Sequence, residues 1–248
     1  MSKAINNFDE GVLEILKGLG VSKNLIDFAR TNIERNDVAH YFDHVDAVIL
    51  QSQFLATIAF AESNQHNDPS VKRIVAIAAL MHDTACWVNR DNHHVLAAEW
   101  MMNNLDSEES LKFYELVPVE VPTIATCILE HRASWDKDRS NIYSEIVAAA
   151  DRGKLEITEC LRRSYLYGRF AKGLNVEAAT THACDHIAEK YGENGYVYNK
   201  LPKLCLMATE DINLLRTQAM DKKLGNSIIT DHREGWEKYY QEVKYARE

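Results

Sequence analysis

Proline and glycine are scarce in this chain, with four and ten residues among 248. They are spread out rather than clustered, which excludes a Pro/Gly/Ser-rich tether and makes one continuous domain over 1–248 the expectation. Cysteine is sparse too: Cys86, Cys127, Cys160, Cys184 and Cys205 are odd in number, far apart and without any C-x-x-C pairing. That excludes a disulfide framework and a thiolate zinc site, and it fits free thiols in a reducing compartment. No stretch approaches the roughly 18 apolar residues of a membrane span. The opening "MSKAINNFDEGVLEILKGLG" lacks the apolar core and small-residue cleavage site of a signal peptide, so a cytoplasmic protein with no membrane partner is expected. Positive charge is in deficit: 28 Lys and Arg against 37 Asp and Glu leave a formal charge of −9. A broad surface for tracking a nucleic-acid polymer is therefore not expected, whereas a small phosphorylated ligand held by a few cations or a metal is compatible.

What the chain has in abundance is helical periodicity. Apolar residues recur at spacings of three and four, as in Phe8, Val12, Leu13, Ile15, Leu16, Leu19 and in Val45, Val48, Ile49, Phe54, Leu55, Ile58. Alternating β-branched runs are nearly absent, and the closest, "VPVEVPTIA", carries two prolines that make it a bend leading into a helix. An all-α fold is predicted, with helices near 6–19, 22–34, 38–63, 71–84, 92–104, 108–115, 120–132, 140–166, 176–191, 200–220 and 228–246. Asp68-Pro69-Ser70, Asn92 and Ser140 are the candidate caps.

Histidine is the commonest metal ligand, and a hard divalent cation adds carboxylate oxygen. Four stretches combine the two residue types: "HYFDHVDAVI" with His40, Asp43 and His44; "LMHDTA" with His82 and Asp83; "RDNHHVLAAEW" with His93 and His94; and "ILEHRAS" with His131. "VAAADRGKLE" adds Asp151. His40 and His44, one predicted helical turn apart, would serve equally well on a partly solvated face, and imidazoles at a helix start such as His93-His94 are usually surface. Asp151 and His82-Asp83 are different, because each follows a run that should be buried, "EIVAAA" and "IVAIAALM". An ionised carboxylate there is costly unless a cation, a salt bridge or strong donors meet it. One shared metal is more economical than two unrelated partners.

The ordered set His44, His82-Asp83 and Asp151, in the contexts "DHV", "ALMHD" and "AADR", resembles the HD-domain superfamily of metal-dependent phosphohydrolases over about residues 36–156. The resemblance implies a helical bundle as motif-bearing core, with residues 157–248 as additional C-terminal helices that cover or extend it. It implies a divalent metal (Mn, Mg, Co, Ni, Fe or Zn) on His44, His82, Asp83 and Asp151. Some members of the superfamily hold a second ion on two further histidines in the interval that His94 and His131 occupy, so one ion and two are both open. Within the His93-His94 pair, His94 is favoured. "ILEHRAS" followed by "SEIVAAADR" is similar to a subgroup of small bacterial HD hydrolases, from which this chain departs by placing Gly153 where leucine usually follows the arginine.

The implied chemistry is hydrolysis of a small phosphorylated metabolite, a nucleotide first among them, by metal-activated water. Asp83 would orient the nucleophile, and with one ion bound His94 or His131 would serve as general acid. Arg132, Arg152 and Lys154 are placed beside the site by sequence adjacency and suit phosphate oxygens. Neighbouring helical residues point about 100° apart, so Arg132 and Arg152 facing solvent or pairing with Glu130 or Glu156 is the alternative. A diiron oxygenase of the HD type and a nucleotide-binding regulatory module are the rival functions. His182 and His186 share one-turn spacing but are expected to shape a pocket or a subunit interface, and a homo-oligomer is left open.

Overall fold

A computed structural model describes residues 7–61, 68–104, 107–153 and 156–245. Every regular element among them is a helix, so the fold is all-α. In chain order these are α1 (Glu10–Gly18), α2 (Lys23–Ile33), α3 (Phe42–Ala59), α4 (Pro69–Met81), α5 (His93–Asn104), α6 (Glu108–Tyr114), α7 (Val121–Glu130), α8 (Ile142–Asp151), α9 (Ile157–Leu166), α10 (Val176–Tyr191), α11 (Thr209–Met220) and α12 (Lys222–Tyr245). No helix among the described residues is long and apolar enough to cross a membrane.

The chain packs as two compact units. The first comprises the described residues up to Asn36, His40–Gly153 and Pro202–Leu204; the second comprises Asp37–Ala39 and the described residues of 154–201 and 205–248. The division at Gly153 falls at the end of the motif-bearing stretch.

In the first unit α4 is the axis. From Ile74 to Met81 every residue is buried, and the helix packs against α2, α3, α7 and α8. A helix apolar all round has no solvent face to offer, so it sits in the centre of its bundle. Val75, Ile77, Leu80 and Met81 are fully buried, each worth about 1.5–3 kcal/mol in removed apolar surface. Ala76, Ala78 and Ala79 on α4 and Ala148, Ala149 and Ala150 on the neighbouring α8 are buried as well, and their small side chains let two backbones approach. Asp68 caps α4 as expected: its carboxylate accepts from the Ser70 N–H at 2.9 Å, with Pro69 in the first turn. At α8 the cap is Asn141, which accepts from the Ser144 N–H at 2.9 Å, while the expected cap Ser140 donates instead to Glu130.

Two predicted helices are interrupted, and both breaks matter to the site. The stretch 38–63 opens with a separate 3-10 turn, Val38–His40, before Tyr41 adopts an extended backbone (φ −97, ψ −173) and α3 begins. His40 and His44 therefore do not share a helix. The stretch 140–166 ends its first helix at Asp151, because Gly153 takes a left-handed conformation (φ 66) that terminates α8. Further on, 200–220 starts as a 3-10 turn over Lys203–Ala208, and the last helix begins at Lys222 rather than 228.

The second unit packs α9, α10, α11 and α12 on one another. Leu161, Tyr165, Ala179, Ala183, Ile187, Leu215 and Ile229 are among its buried residues. After α9 the chain widens into a π-helical turn, Tyr167–Ala171, where Gly168 lies so close to α10 that a Cβ would come within 2.9 Å of the His182 ring.

Candidate metal centre

Five elements of the first unit deliver side chains to one point. α4, α7 and α8 arrive with their C-terminal ends: His82 follows the last residue of α4, His131 follows the last residue of α7, and Asp151 is the last residue of α8. α3 and α5 arrive with their N-terminal turns, which carry His44 and His93. The carbonyls of a final helical turn lack intrahelical donors and concentrate the negative end of the helix dipole, so three converging C-termini favour a cation.

Those carbonyls also orient the histidines. His82 Nδ1 lies 2.7 Å from the Ala79 carbonyl and His131 Nδ1 lies 2.7 Å from the Ile128 carbonyl, each three residues back. His93 repeats the arrangement on the Arg90 carbonyl at 2.6 Å. A carbonyl only accepts, so each Nδ1 donates its proton, and in the neutral ring Nε2 carries the lone pair. Such a backbone partner fixes tautomer and ring orientation in metal-ligating histidines.

The Nε2 atoms converge. His82 Nε2 is 3.3 Å from His44 Nε2, and His93 Nε2 is 3.1 Å from His131 Nε2. Asp83 lies between the two pairs. Its Oδ2 is 3.1 Å from His82 Nε2 and 3.4 Å from His44 Nε2, and its Oδ1 is 3.2 Å from His93 Nε2 and 3.9 Å from His131 Nε2. Asp151 Oδ1 closes the first group at 3.2 Å from His44 Nε2 and 3.8 Å from His82 Nε2. His82, Asp83 and His131 are almost wholly buried.

Asp83 and Asp151 are held ionised: burial would raise both carboxyls, but the surrounding imidazoles outweigh it and keep each well below the ordinary carboxylate range. Burial would push His82 down, yet Asp83 and Asp151 overcome it and bring its pKa up to about 9, so near neutrality its Nε2 carries a second proton, which a cation would displace to reach the lone pair. His131 goes the other way, lowered well below its ordinary value first by burial and then by His82 and His93.

This donor set suits divalent cations. Two nitrogens bound at about 2.0–2.1 Å stand about 2.8–3.4 Å apart at octahedral to tetrahedral angles, and both nitrogen pairs fall in that range. His44, His82 and Asp151, and likewise His82, Asp83 and His131, bring their ligand atoms within 4.8 Å of one another. Two buried carboxylates would balance the charge of one ion in full and of two in part, and mixed imidazole and carboxylate ligation suits Mn, Fe, Co, Ni or Zn better than Mg.

His44, His82, Asp83, Asp151 and His131 meet as the sequence reading expected, whereas His94 does not join them. His93 is the inward member of its pair, because the Arg90 carbonyl tethers its ring before α5 starts. His94 is rotated off it and half-buried, with Nδ1 lacking a hydrogen-bond partner among the described residues. Its pKa is lowered to about 4 by burial, then by Arg132 and His93. The sequence reading gave His94 the part of general acid and second-ion ligand; the structure sets its ring beside that of His131, at 6.4 Å between centroids, and brings His93 to Asp83.

Arg152 is also corrected. Its side chain is 1 % exposed, and its guanidinium donates to the carbonyls of His131 at 2.7 Å, Ala148 at 2.6 Å and Arg132 at 3.3 Å. It caps the C-terminus of α7 and ties it to α8, which places His131 and Asp151 together and leaves little of the cation for a phosphate. Arg132 donates to the Asp91 carbonyl and remains partly exposed. Glu130 pairs with neither arginine and accepts from Ser140. Lys154 lies outside the described residues. His182 and His186 face each other at 6.1 Å between ring centroids, and no third ligand among the described residues joins them.

Sequence reasoning missed three residues that support the centre. Cys86 donates its thiol to Asp83 Oδ1 at 3.3 Å. Asn36, 1 % exposed, donates to the carbonyls of Asp83 at 2.9 Å and His40 at 3.0 Å and accepts from the Trp87 N–H at 2.9 Å. Arg90 supplies the carbonyl that aims His93. Cys86 could have been found from its position three residues after Asp83 at the end of the same apolar run; the other two leave no local signal. Comparison of the chain with protein-family models, with curated proteins and with solved structures finds no match in any of the three.

Proposed function

We propose that the chain is a metal-dependent phosphohydrolase of the HD type, acting on a small phosphorylated metabolite, with nucleotides the first class to test. The observation that carries this reading is the pairing of imidazole Nε2 atoms around Asp83. Four Nε2 atoms and two ionised carboxylates meet in a buried space, and at least three of the rings have given their Nδ1 protons to the backbone. Divalent ions bound there would polarise a phosphoryl oxygen and acidify a water molecule.

The chain's own residues supply the rest. His44, His82 and Asp151 form one half of the donor set, His93 and His131 the other, and Asp83 offers one carboxylate oxygen to each. Because Asp83 is held ionised, it accepts hydrogen bonds only, and it would orient an attacking water through that water's own proton. The burial of His82, Asp83 and His131 keeps bulk solvent from these contacts, which strengthens them.

Phosphate release is the test, measured on nucleoside mono-, di- and triphosphates and cyclic dinucleotides with Mn, Mg, Co, Ni or Zn. Release that persists in Asp83→Ala would sink the assignment. The same six residues would be equally apt to hold two irons, so iron-dependent oxygen uptake without phosphate release would favour an oxygenase. Tight nucleotide binding with neither activity would favour a regulatory module.

A further inference from the structure

Two side chains beside His93 and His131 are left over once the centre is assembled. His94 follows His93 in the first turn of α5, and Arg132 follows His131 directly after α7. The His94 ring stands 5.6 Å from that of His93 and 6.4 Å from that of His131, centroid to centroid. His94 and Arg132 remain partly exposed, whereas His93 and His131 are buried. Each covered histidine thus has a half-covered, donor-bearing residue as its next neighbour in the chain.

Arg132 is anchored without being neutralised. One of its Nη atoms donates to the Asp91 carbonyl, which joins the end of α7 to the turn leading into α5. Among the described residues no carboxylate pairs with the guanidinium. A guanidinium carries five N–H donors in a planar fork, and one carbonyl engages only one of its nitrogens. The charge also reaches the neighbouring imidazole, whose pKa is lowered first by burial and then by Arg132. His94 has a donor to spare as well. Its Nδ1 is buried with no hydrogen-bond partner, while its Nε2, equally without a partner among the described residues, is not buried. Buried N–H groups without an acceptor are rarer than buried acceptors left unfilled, so the ring proton belongs on the accessible Nε2. His82, His93 and His131 have the reverse arrangement, with Nδ1 giving its proton to the backbone. The backbone thus prepares those three rings as ligands and leaves His94 as a donor.

We propose that His94 and Arg132 form an anion subsite on the His93 and His131 side of the centre, where His94 Nε2–H and the guanidinium N–H groups not engaged by Asp91 bond to phosphoryl oxygens of the substrate. This rests on the phosphohydrolase reading for the identity of the anion, and on the two side chains alone for the donors. A further cation is excluded there, because it would meet the guanidinium charge and a ring whose accessible nitrogen carries a proton. An anion with several acceptor oxygens answers both side chains at once, and a planar guanidinium suits phosphate in particular. No proton transfer is needed, since His94 presents the same Nε2–H whether its ring is neutral or charged.

The test uses the full chain loaded with Zn, with inorganic phosphate as probe. Metal content, phosphate affinity by calorimetry, and kcat and KM for phosphate release are compared in wild type, His94→Ala, His94→Gln, Arg132→Gln and Arg132→Lys, with thermal melts to establish folding. His94→Ala and Arg132→Gln are each expected to keep their metal, to bind phosphate about ten- to a hundredfold more weakly, as for loss of a hydrogen bond to a charged group, and to raise KM. The bond from Arg132 to Asp91 is exposed, so water can replace it in Arg132→Gln. His94→Gln and Arg132→Lys each keep an N–H donor and are expected to recover part of the loss, which a merely structural role would not produce. In wild type, added phosphate is expected to shift the nitrogen-15 resonance of His94 Nε2, and that titration carries the test if a variant does not fold. Loss of metal in His94→Ala, unchanged phosphate affinity in His94→Ala or Arg132→Gln, or an unmoved His94 resonance would each overturn the assignment. If wild type binds phosphate through both side chains yet releases none from any substrate, the hydrolase reading fails and the subsite stands. If wild type hydrolyses and both variants bind phosphate as wild type does, the subsite alone fails.

Discussion

His93 and His131 present their Nε2 atoms to each other at 3.1 Å, with both Nδ1 protons already given to carbonyls of their own chain segments. Two lone pairs at that distance repel unless a positive charge lies between them. His93→Ala is therefore expected to lower metal stoichiometry or weaken metal binding by more than the roughly 10–100-fold that loss of an outer partner costs. His94→Ala, one residue on, is expected to leave metal content unchanged. Elemental analysis of the two variants after equilibration with Mn or Zn decides it, and equal losses in both would refute the placement of His93.

Arg152 makes a second contrast. Removing its guanidinium in Arg152→Met leaves three carbonyls at the junction of α7 and α8 without their donor. A buried polar group left unsatisfied costs about 1–3 kcal/mol, so a loss of about 3 kcal/mol is expected from urea midpoints. A phosphate ligand would instead leave stability intact and raise KM.

Asn36 is expected to matter more than its size suggests. Asn36→Leu strands the Asp83 and His40 carbonyls and the Trp87 N–H together, and a destabilisation of about 2–4 kcal/mol follows from the same unsatisfied-group costs. Asn36→Asp keeps an acceptor for Trp87 but loses both donations, so it is expected to fall close to Asn36→Leu. Chemical denaturation of the metal-free variants, compared with wild type, measures this apart from metal affinity.

The second unit offers a pH test remote from the histidines. Tyr165 donates to Glu237 Oε1 at 2.6 Å and Arg169 Nε donates to the same oxygen at 3.0 Å. Burial works to raise the Glu237 carboxyl, but these two donors and the Arg169 charge outweigh it and lower it from its ordinary 4.5. Its stabilisation is present above pH 4.5 and is lost as pH falls through the lowered value. Tyr165 is raised from 10 to about 12, first by burial and then by its bond to Glu237, so its share is complete below pH 10 and disappears as pH rises toward 12. Denaturation midpoints against pH are expected to flatten at both ends in Glu237→Gln relative to wild type, and parallel curves would refute the coupling.

The helical fold was legible because three-and-four spacing is a local property, and so was the gathering of His44, His82, Asp83, His131 and Asp151. Apolar runs before His82 and Asp151 announce that a polar residue is being carried inward. The choice between His93 and His94 was not legible, since it turns on a hydrogen bond from the imidazole to a carbonyl three residues earlier, in a turn with no periodicity. Arg152 was misread for a related reason: adjacency to Asp151 suggested a shared ligand, whereas the orphan carbonyls of α7, distant in sequence, claim the guanidinium. The break at Tyr41 depends on backbone angles that composition does not encode. Gly153 was visible as an oddity, and its left-handed turn supplies the physical meaning.

The all-round burial of α4 bears on which ion the centre admits. Because α2, α3, α7 and α8 pack on it, the helix cannot slide or roll to follow a guest without repacking a close-packed interior, which resists even small volume changes. His82 and Asp83 are thus mounted on an immovable post. An ion entering the centre would therefore meet donors of fixed spacing, and a cation of the wrong radius would be turned away by the stiffness of a helix it never touches.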